Sequence, residues 1–147
     1  MRVSIASDHA GFDQKQALVG YLEAQGHDVA DRGPADDGRV DYPDYAEKVA
    51  RAVAGGQADF GVLVCGTGIG MAVAANKVDG IRAVNIVRPD FAALAREHND
   101  ANVLTLSGRF VSLEENEAIV DAFLATPFGG GRHAGRVAKI HDLERKR

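Results

Sequence analysis

The sequence predicts an α/β fold with three layers, in which helices cover both faces of a parallel sheet of five strands. Two observations predict this fold. Short apolar runs alternate along the chain with helical patterns. Most of these runs lack apolar–polar alternation, and unbroken runs are typical of strands buried on both faces. The 147 residues fit one domain, 1–147, because neither a repeat nor a linker divides them.

The first half of the chain begins with a short buried strand, residues 3–6, followed by a loop. Pairs of apolar residues four apart then indicate helix 12–25, which Gly26 ends. A weak strand over 27–31 leads into a loop rich in Gly, Pro and Asp. Pro43 suits the first turn of the second helix, and Gly55-Gly56 ends that helix.

The second half contains the strongest strand, 60–65, and a glycine-rich loop that leads into an alanine-rich helix ending near residue 76. Apolar runs predict two further strands, 81–87 and 103–106. Helical patterns predict the remaining helices over residues 89–98, 113–124 and 132–143.

Composition excludes several classes of protein. Apolar residues make up 46% and charged residues 26%, which indicates a globular chain. The least polar stretch, 62–75, is too short and too rich in glycine to span a bilayer. The single cysteine excludes an intramolecular disulfide, and no signal peptide precedes the first strand. We therefore expect a cytoplasmic protein.

Charge is unevenly distributed along the chain. From residue 132 onward there are six Lys and Arg against two Asp and Glu, whereas the rest of the chain has 11 against 19. The acidic bulk argues against nucleic acid as a partner. The basic C-terminus is either a solvated tail or a surface that meets an anion.

The most informative segment is Cys65-Gly66-Thr67-Gly68-Ile69-Gly70, between the third strand and a helix. A glycine-rich turn at this place points backbone N–H groups at a common spot, which binds an anion or a developing oxyanion. The same field favours thiolate over thiol, so that Cys65 is suited to be a base or a nucleophile. The alternative is that Cys65 only fills a buried strand end.

The spacing of this loop excludes three familiar motifs. Gly-x-Gly-x-Gly after the third strand is not a dinucleotide fingerprint, and no Gly-Lys-Ser/Thr follows, as a P-loop requires. The sixth residue after Cys65 is Met71, where a Cys-x5-Arg phosphatase has arginine. A thiol hydrolase that pairs Cys65 with His98 remains open.

Two other polar pairs are candidates for chemistry. Asp8-His9 follows the first strand, either as an acid and base or as a helix cap beside a solvated histidine. His98-Asn99 ends the fourth helix, either as its C-cap or as a proton donor beside a hydrogen-bond donor. Parallel sheets bind ligands outside the carboxyl ends of their strands, and we expect both pairs and Cys65 to lie there.

Three arginines are candidates for binding an anion. Arg132 and Arg136 are four residues apart and share a helix face, where like charges repel by a few tenths of a kcal/mol. A phosphate between them reverses the sign of that interaction, and the alternative is a solvated basic face. Arg109, after the fifth strand, is the third candidate. No Cys/His cluster has metal-site spacing, so we expect neither a metal nor a cofactor.

Seven motifs occur in one order over nearly the whole chain. They are Ser7-Asp8-His9-Ala10-Gly11, Asp41-Tyr42-Pro43-Asp44-Tyr45-Ala46, the loop Cys65–Gly70, Ala75-Asn76-Lys77, Gly80-Ile81-Arg82-Ala83, His98-Asn99-Asp100-Ala101-Asn102-Val103-Leu104 and Gly130-Gly131-Arg132-His133. Together they closely resemble ribose-5-phosphate isomerase type B, of the ribose/galactose isomerase family.

The resemblance implies a Rossmann-like fold and a homodimer, or a tetramer, whose active sites lie at the subunit interface. Helix 132–145 is then expected to pack on the partner subunit or reach into it. For catalysis, the resemblance implies that Cys65 is the base, that Thr67 is hydrogen-bonded near its thiol and that His98 opens the sugar ring; the implied anion hole consists of Gly66, Gly68, Ile69 and Gly70. For the sugar, it implies that Asp8 and Asn99 bind oxygens and that Tyr42 lines the pocket. The implied phosphate ligands, some of them from the partner, are His9, Arg109, Arg132 and Arg136.

The implied activity is aldose–ketose isomerisation of a phosphosugar through an enediolate, with D-ribose 5-phosphate and D-ribulose 5-phosphate as the expected pair. Relatives that act on allose 6-phosphate, galactose 6-phosphate or a tetrulose 4-phosphate are alternatives within the class. A non-catalytic sugar-phosphate sensor is the alternative from another class. One position departs from the family, which often has a glycine and a small residue before the arginine, where this chain has Ser107-Gly108.

Overall fold

The computed structural model describes the whole chain, Met1–Arg147, and contains five strands and six helices. In chain order they are β1 (Arg2–Ser7), α1 (Phe12–Ala24), β2 (Asp28–Asp31), α2 (Tyr42–Ala54), β3 (Phe60–Cys65), α3 (Ile69–Ala75), β4 (Ala83–Asn85), α4 (Pro89–Asn99), β5 (Val103–Ser107), α5 (Leu113–Ala125) and α6 (Arg132–Glu144). The predicted order of elements is confirmed. No helix is long and apolar enough to cross a bilayer.

All five strands are parallel, in the spatial order β2-β1-β3-β5-β4, which confirms the predicted sheet. β3 lies in the centre because its unbroken apolar run, Phe-Gly-Val-Leu-Val-Cys, tolerates burial on both faces. β4 is an edge strand, and its outer side has no partner strand within the chain.

The core lies in two clusters, one on each face of the sheet. On one face, Leu18 of α1, Ala95 of α4 and Phe123 of α5 pack against alternate residues of the strands. On the other face, Val49 of α2 and Met71 of α3 pack on the intervening residues. Successive strand residues point to opposite faces, and the two clusters therefore confirm the predicted three layers.

The predicted boundaries of β4 were too wide, because the strand covers only Ala83–Asn85 rather than 81–87. The Ile81 N–H closes a turn onto Val78, and the Arg82 N–H donates to Oδ1 of Asn102. These two N–H groups therefore bond to a turn carbonyl and to a side chain rather than to the backbone of β5. The left-handed residue that ends α4 is Asp100, with φ 49°, whereas Asn99 is the last helical residue.

α6 lies outside the two helical layers, and Val137 is its one fully buried residue. Polar contacts hold the helix beside β4. The guanidinium of Arg82 lies 2.7 Å from Nε2 of His141, and the Gly80 N–H donates to Oε1 of Glu144 at 2.8 Å. The helix is therefore exposed along most of its length.

Candidate active site

The carboxyl edge of the sheet, where all five strands end, contains the thiol. Cys65 is the last residue of β3, pairs with Ser107 of β5 and is 5% exposed. Gly68, with φ 85°, turns its N–H onto Sγ of Cys65 at 3.1 Å. A side chain at position 68 is excluded, since a Cβ there would lie 2.3 Å from Oδ1 of Asn85. The glycine therefore brings a backbone donor to the sulfur.

The rest of the glycine loop presents backbone donors without protein acceptors. Oγ1 of Thr67 accepts a hydrogen bond from the Ile69 N–H at 3.1 Å, so that this hydroxyl closes the turn. The thiol has the Gly68 N–H as its partner, and no hydrogen bond joins it to Thr67. The N–H groups of Gly66, Thr67 and Gly70 have no acceptor in the protein, and they are available to an oxyanion. The N–H groups of Gly68 and Ile69, which the resemblance assigns to the anion hole, instead donate to Sγ of Cys65 and to Oγ1 of Thr67.

Asp8 and His9 lie beside this loop because β1 is the neighbour of β3. The Asp8 N–H donates to the carbonyl of Val64 at 3.1 Å. Oδ1 of Asp8 accepts from the Gly11 N–H, and Oδ2 is left for a ligand hydroxyl. Nδ1 of His9 accepts from the Val40 N–H at 3.3 Å, which puts the imidazole proton on Nε2. Both side chains border an open groove of about 550 Å³.

Tyr42 connects this groove to the glycine loop. It begins α2, is 41% exposed, and lies across Gly70, where a Cβ would come within 2.7 Å of the phenol ring. The tyrosine predicted to line the pocket is therefore next to the predicted anion hole. Ile69, the first residue of α3, is 57% exposed beside it.

Arg109 lies over the same loop from the β5 side. A Cβ on Gly66 would be 3.1 Å from Nη1 of Arg109, so the guanidinium covers the first glycine. The Arg109 N–H donates to the Gly66 carbonyl at 3.1 Å. Oγ of Ser107 donates to the same carbonyl at 2.8 Å and accepts from the Phe110 N–H at 3.0 Å. Ser107, where the chain departs from the family pattern, therefore closes the turn that carries Arg109 beside the loop.

The expectation that His98 and Asn99 lie at the carboxyl edge was wrong. α4 starts after β4 and runs back to the first residue of β5, which brings its last turn to the amino edge of the sheet. From Val103 to Ser107 the strand rises by roughly 13 Å. His98 and Cys65 of one chain therefore lie at opposite edges and form no Cys–His pair.

The amino edge carries its own cluster, which consists of His98, Asn99, Arg132, His133 and Arg136. The rings of His98 and His133 stack with their centroids 4.3 Å apart and their planes 17° apart. The hydrogen bond from the Gly129 N–H to the Glu97 carbonyl holds the start of α6 beside the end of α4. The predicted site residues therefore form two groups rather than one.

The amino-edge cluster is electropositive. Partial burial, with the nearby charges of His98, Arg132 and Arg136, lowers the pKa of His133 below its usual 6.5, although Glu97 opposes the shift. Arg132 and Arg136 are exposed and take part in none of the ion pairs of the chain. Two arginines without a carboxylate partner suit an anion supplied from outside.

Sequence reasoning missed three residues around these clusters. The motif that contains His133 does not predict that it stacks on His98. Ser107 stands out only as a departure from the family, and Thr105, whose hydroxyl donates to the Gly68 carbonyl, belongs to no motif. The available signal was two hydroxyl residues, two positions apart, in an otherwise apolar strand.

The chain is similar to proteins of one family over nearly its whole length. The family model for Ribose/Galactose Isomerase matches residues 3–140. The ribose-5-phosphate isomerase B of Escherichia coli is 47% identical over 146 residues, covering 99% of this chain and 98% of that protein. A ribose-5-phosphate isomerase B structure from Clostridium thermocellum has a TM-score of 0.98 at 46% identity and covers 99% of both chains.

A third relative has a ligand in its structure. The ribose-5-phosphate isomerase B of Mycoplasma genitalium with bound ribulose-5-phosphate has a TM-score of 0.95 at 46% identity and covers 99% of this chain and 97% of that one. The match extends over both clusters and nearly the full length of the sheet. The chain belongs to the ribose/galactose isomerase family.

Proposed function

We propose that this chain interconverts D-ribose 5-phosphate and D-ribulose 5-phosphate by moving a proton between C1 and C2. The observation that carries the proposal is the buried Cys65 thiol beneath the Gly68 N–H, bordered by backbone donors that have no acceptor in the protein. A base next to an oxyanion site is what an enediolate intermediate requires. The ribulose-5-phosphate bound to the Mycoplasma genitalium relative supports the choice of substrate.

In the aldose-to-ketose direction, Cys65 as thiolate takes the proton from C2, and the electrons of that bond form the C1–C2 double bond. Charge moves to O1, where the free N–H groups of Gly66, Thr67 and Gly70 stabilise it. The thiol then returns its proton to C1, and the hydroxyl proton of O2 passes to O1 as the C2 carbonyl forms. One donor at such an oxyanion contributes roughly 10²–10³-fold in rate.

The carboxyl-edge residues other than the loop hold the sugar. Oδ2 of Asp8 is open to a sugar hydroxyl. The ring of Tyr42 lies against Gly70, and it therefore forms a wall of the pocket next to the loop that receives C1 and C2. Nε2–H of His9 and the guanidinium of Arg109 are donors that suit a phosphate dianion. Binding energy from the remote phosphate holds C1 and C2 beside the thiol.

The remaining implied residues come from a second copy in this proposal. His98, which opens the furanose ring, lies at the opposite edge of the same chain together with Asn99, Arg132 and Arg136. A two-fold dimer that brings the amino edge of one copy against the carboxyl edge of the other completes two equivalent sites. α6 then supplies both arginines to the partner's phosphate.

The surface around β4 suits such a dimer. Its outer side is unpaired, and an open groove flanks it on either side. Phe91 and Leu94 of α4 line one groove and are 51% and 42% exposed, while Ile140 and Leu143 of α6 line the other. An unpaired edge strand beside exposed apolar side chains is typical of an interface between copies.

The test is turnover of ribose 5-phosphate by the purified protein, with allose 6-phosphate, galactose 6-phosphate and erythrulose 4-phosphate in parallel. We expect ribose 5-phosphate to have the highest kcat/KM, and Cys65→Ala to lower kcat by about 10³-fold or more while the protein still binds substrate. Turnover only of another sugar would assign a different substrate to the same chemistry. Binding of ribose 5-phosphate without turnover would contradict the enzyme and favour a sensor.

A further inference from the structure

Two β5 residues, Thr105 and Ser107, donate side-chain hydrogen bonds to backbone carbonyls of the glycine loop. Thr105 and Ser107 are two positions apart, so they point to the same face of the sheet, and Cys65 points to that face as well. Both are buried, at 0% and 2% exposure. Oγ1 of Thr105 donates to the carbonyl of Gly68 at 2.8 Å, and Oγ of Ser107 donates to the carbonyl of Gly66 at 2.8 Å.

These two hydrogen bonds fix the peptide groups on either side of the thiol's partner. A trans peptide is planar, and its N–H points opposite to its C=O. The bond from Ser107 therefore orients the Gly66–Thr67 peptide, with the Thr67 N–H directed away from β5. The bond from Thr105, together with the longer one from the Ala72 N–H at 3.2 Å, orients the Gly68–Ile69 peptide. The peptide between them carries the Gly68 N–H that donates to Sγ of Cys65.

Ser107 has a second effect, on Arg109. Its oxygen also accepts from the Phe110 N–H at 3.0 Å, and the Gly66 carbonyl accepts from the Arg109 N–H as well as from Ser107. The serine thus joins the glycine loop to the turn that carries the arginine. One side chain therefore connects the Gly66–Thr67 peptide to the backbone of the turn that carries Arg109.

We propose that Thr105 and Ser107 are positioning residues of the isomerase: Thr105 aims the Gly68 amide at the thiol, and Ser107 aims Arg109 and the Thr67 amide at the substrate. The assignment rests on the proposed function for its kinetic effects, but the effect on the thiol is independent of any substrate. Both side chains are buried behind the loop, so we expect them to act through it rather than on the substrate.

The two hydroxyls have different kinetic signatures. Thr105→Val has nearly the same shape but loses the hydroxyl, which donates to the Gly68 carbonyl and also lies 3.2 Å from Oδ1 of Asn85. We expect kcat to fall roughly three- to tenfold with KM changed less than about twofold, as loss of about one hydrogen bond implies. Ser107→Ala frees the Gly66–Thr67 peptide and loosens the turn that carries Arg109. We therefore expect KM for ribose 5-phosphate to rise by a similar factor and kcat to fall as well. Thr105→Ser keeps the hydroxyl, and we expect it to recover most of the lost kcat.

The thiol itself gives the readout that a merely structural role would not change. Cys65 is the only cysteine, so alkylation by iodoacetamide, followed as loss of free thiol, reports on it alone. We expect the ratio of the alkylation rate near pH 7 to that near pH 10 to fall several-fold in Thr105→Val and to recover in Thr105→Ser, because an N–H aimed at sulfur stabilises thiolate over thiol. Ser4→Ala is the control, since Ser4 is a buried β1 serine whose hydroxyl bonds Arg32 rather than the loop.

A wild-type alkylation ratio in Thr105→Val would overturn the role of Thr105, and an unchanged KM in Ser107→Ala would overturn the role of Ser107. If Thr105→Ser has the same kcat and alkylation ratio as Thr105→Val, the hydroxyl does not cause the effect, and the role of Thr105 is again overturned. A wild-type protein that isomerises none of the four sugars would refute the proposed function, while the alkylation ratios still decide whether Thr105 positions the amide.

Discussion

Single residues of the glycine loop have separable tasks. Gly68 is needed for its backbone, since its positive φ turns the N–H toward the sulfur and its lack of Cβ leaves room for Asn85. Thr67 is needed for its side chain, which closes the turn through the Ile69 N–H. The one hydrogen bond to the thiol therefore depends on the backbone conformation of the loop.

We expect Gly68→Ala to abolish turnover and to destabilise the protein by more than the roughly 1–2 kcal/mol that left-handed backbone costs an alanine, because its Cβ also meets Asn85 and the Leu106 carbonyl. Gly56→Ala is the matched control, with φ 78° and nothing within 4 Å of its Cβ. It should lose stability from the backbone alone and keep its activity. Urea unfolding measures the stability of each variant, and kcat measures its activity. Equal losses of activity in the two variants would refute the explanation that Gly68 acts through the Cys65 thiol.

α4 and α6 act together as one unit at the amino edge. The His98–His133 stack and the bond from the Gly129 N–H to Glu97 connect the end of one helix to the start of the other. α6 has little buried surface of its own, and its position depends on these contacts and on Arg82 and Glu144. The geometry of Arg132 and Arg136 is therefore set by α4 as much as by α6.

This unit predicts a dependence of stability on pH. The pKa of His133 is lowered in the folded state. Between pH 6.5 and that lower pKa, the unfolded chain therefore binds more protons at this histidine than the folded chain does. The free energy of unfolding should decrease across that window. We expect the urea midpoint to fall less between about pH 7.5 and pH 5 in His133→Gln than in the wild type. Equal pH slopes in the two proteins would exclude this origin.

The whole chain holds the two halves of its proposed site at opposite edges of one sheet. The crossover connections of a parallel sheet require this separation, because each helix returns the chain to the amino edge before the next strand. A second copy is then a chemical requirement of the proposed site. Exposed apolar residues on both sides of β4 mark where that copy is expected to pack.

Shared sites predict complementation between inactive variants. When equal amounts of Cys65→Ala and His98→Asn are unfolded and refolded together, half of the dimers are hybrid and each hybrid has one intact site, so about a quarter of wild-type turnover should return. The matched control mixes Cys65→Ala with Arg109→Gln, both at the carboxyl edge, and should recover nothing. No recovery in the first mixture would contradict sites built from two chains.

The proposed interface predicts the effect of a charge beside β4. Leu94→Asp places a carboxylate in the apolar groove, and we expect monomers in sedimentation velocity together with loss of turnover. Ala24→Asp changes an exposed residue of α1, in the layer beside β2 at the other side of the sheet, and should remain a dimer. An active Leu94→Asp monomer would refute the dimeric site.

The sequence alone determined the order of strands and helices, the parallel sheet and the glycine loop after Cys65, because apolar periodicity and glycine placement act over a few neighbouring residues. The edge at which His98 lies also follows from the sequence, because the helix after a parallel strand must return to the amino edge. The expectation that both polar pairs lie at the carboxyl ends did not apply that rule. Only the tertiary structure decided which carbonyls Thr105 and Ser107 hold, how Arg109 is aimed and that His133 stacks on His98. Those contacts join residues far apart in the chain, and their partners depend on strand register and helix packing, which no local pattern specifies.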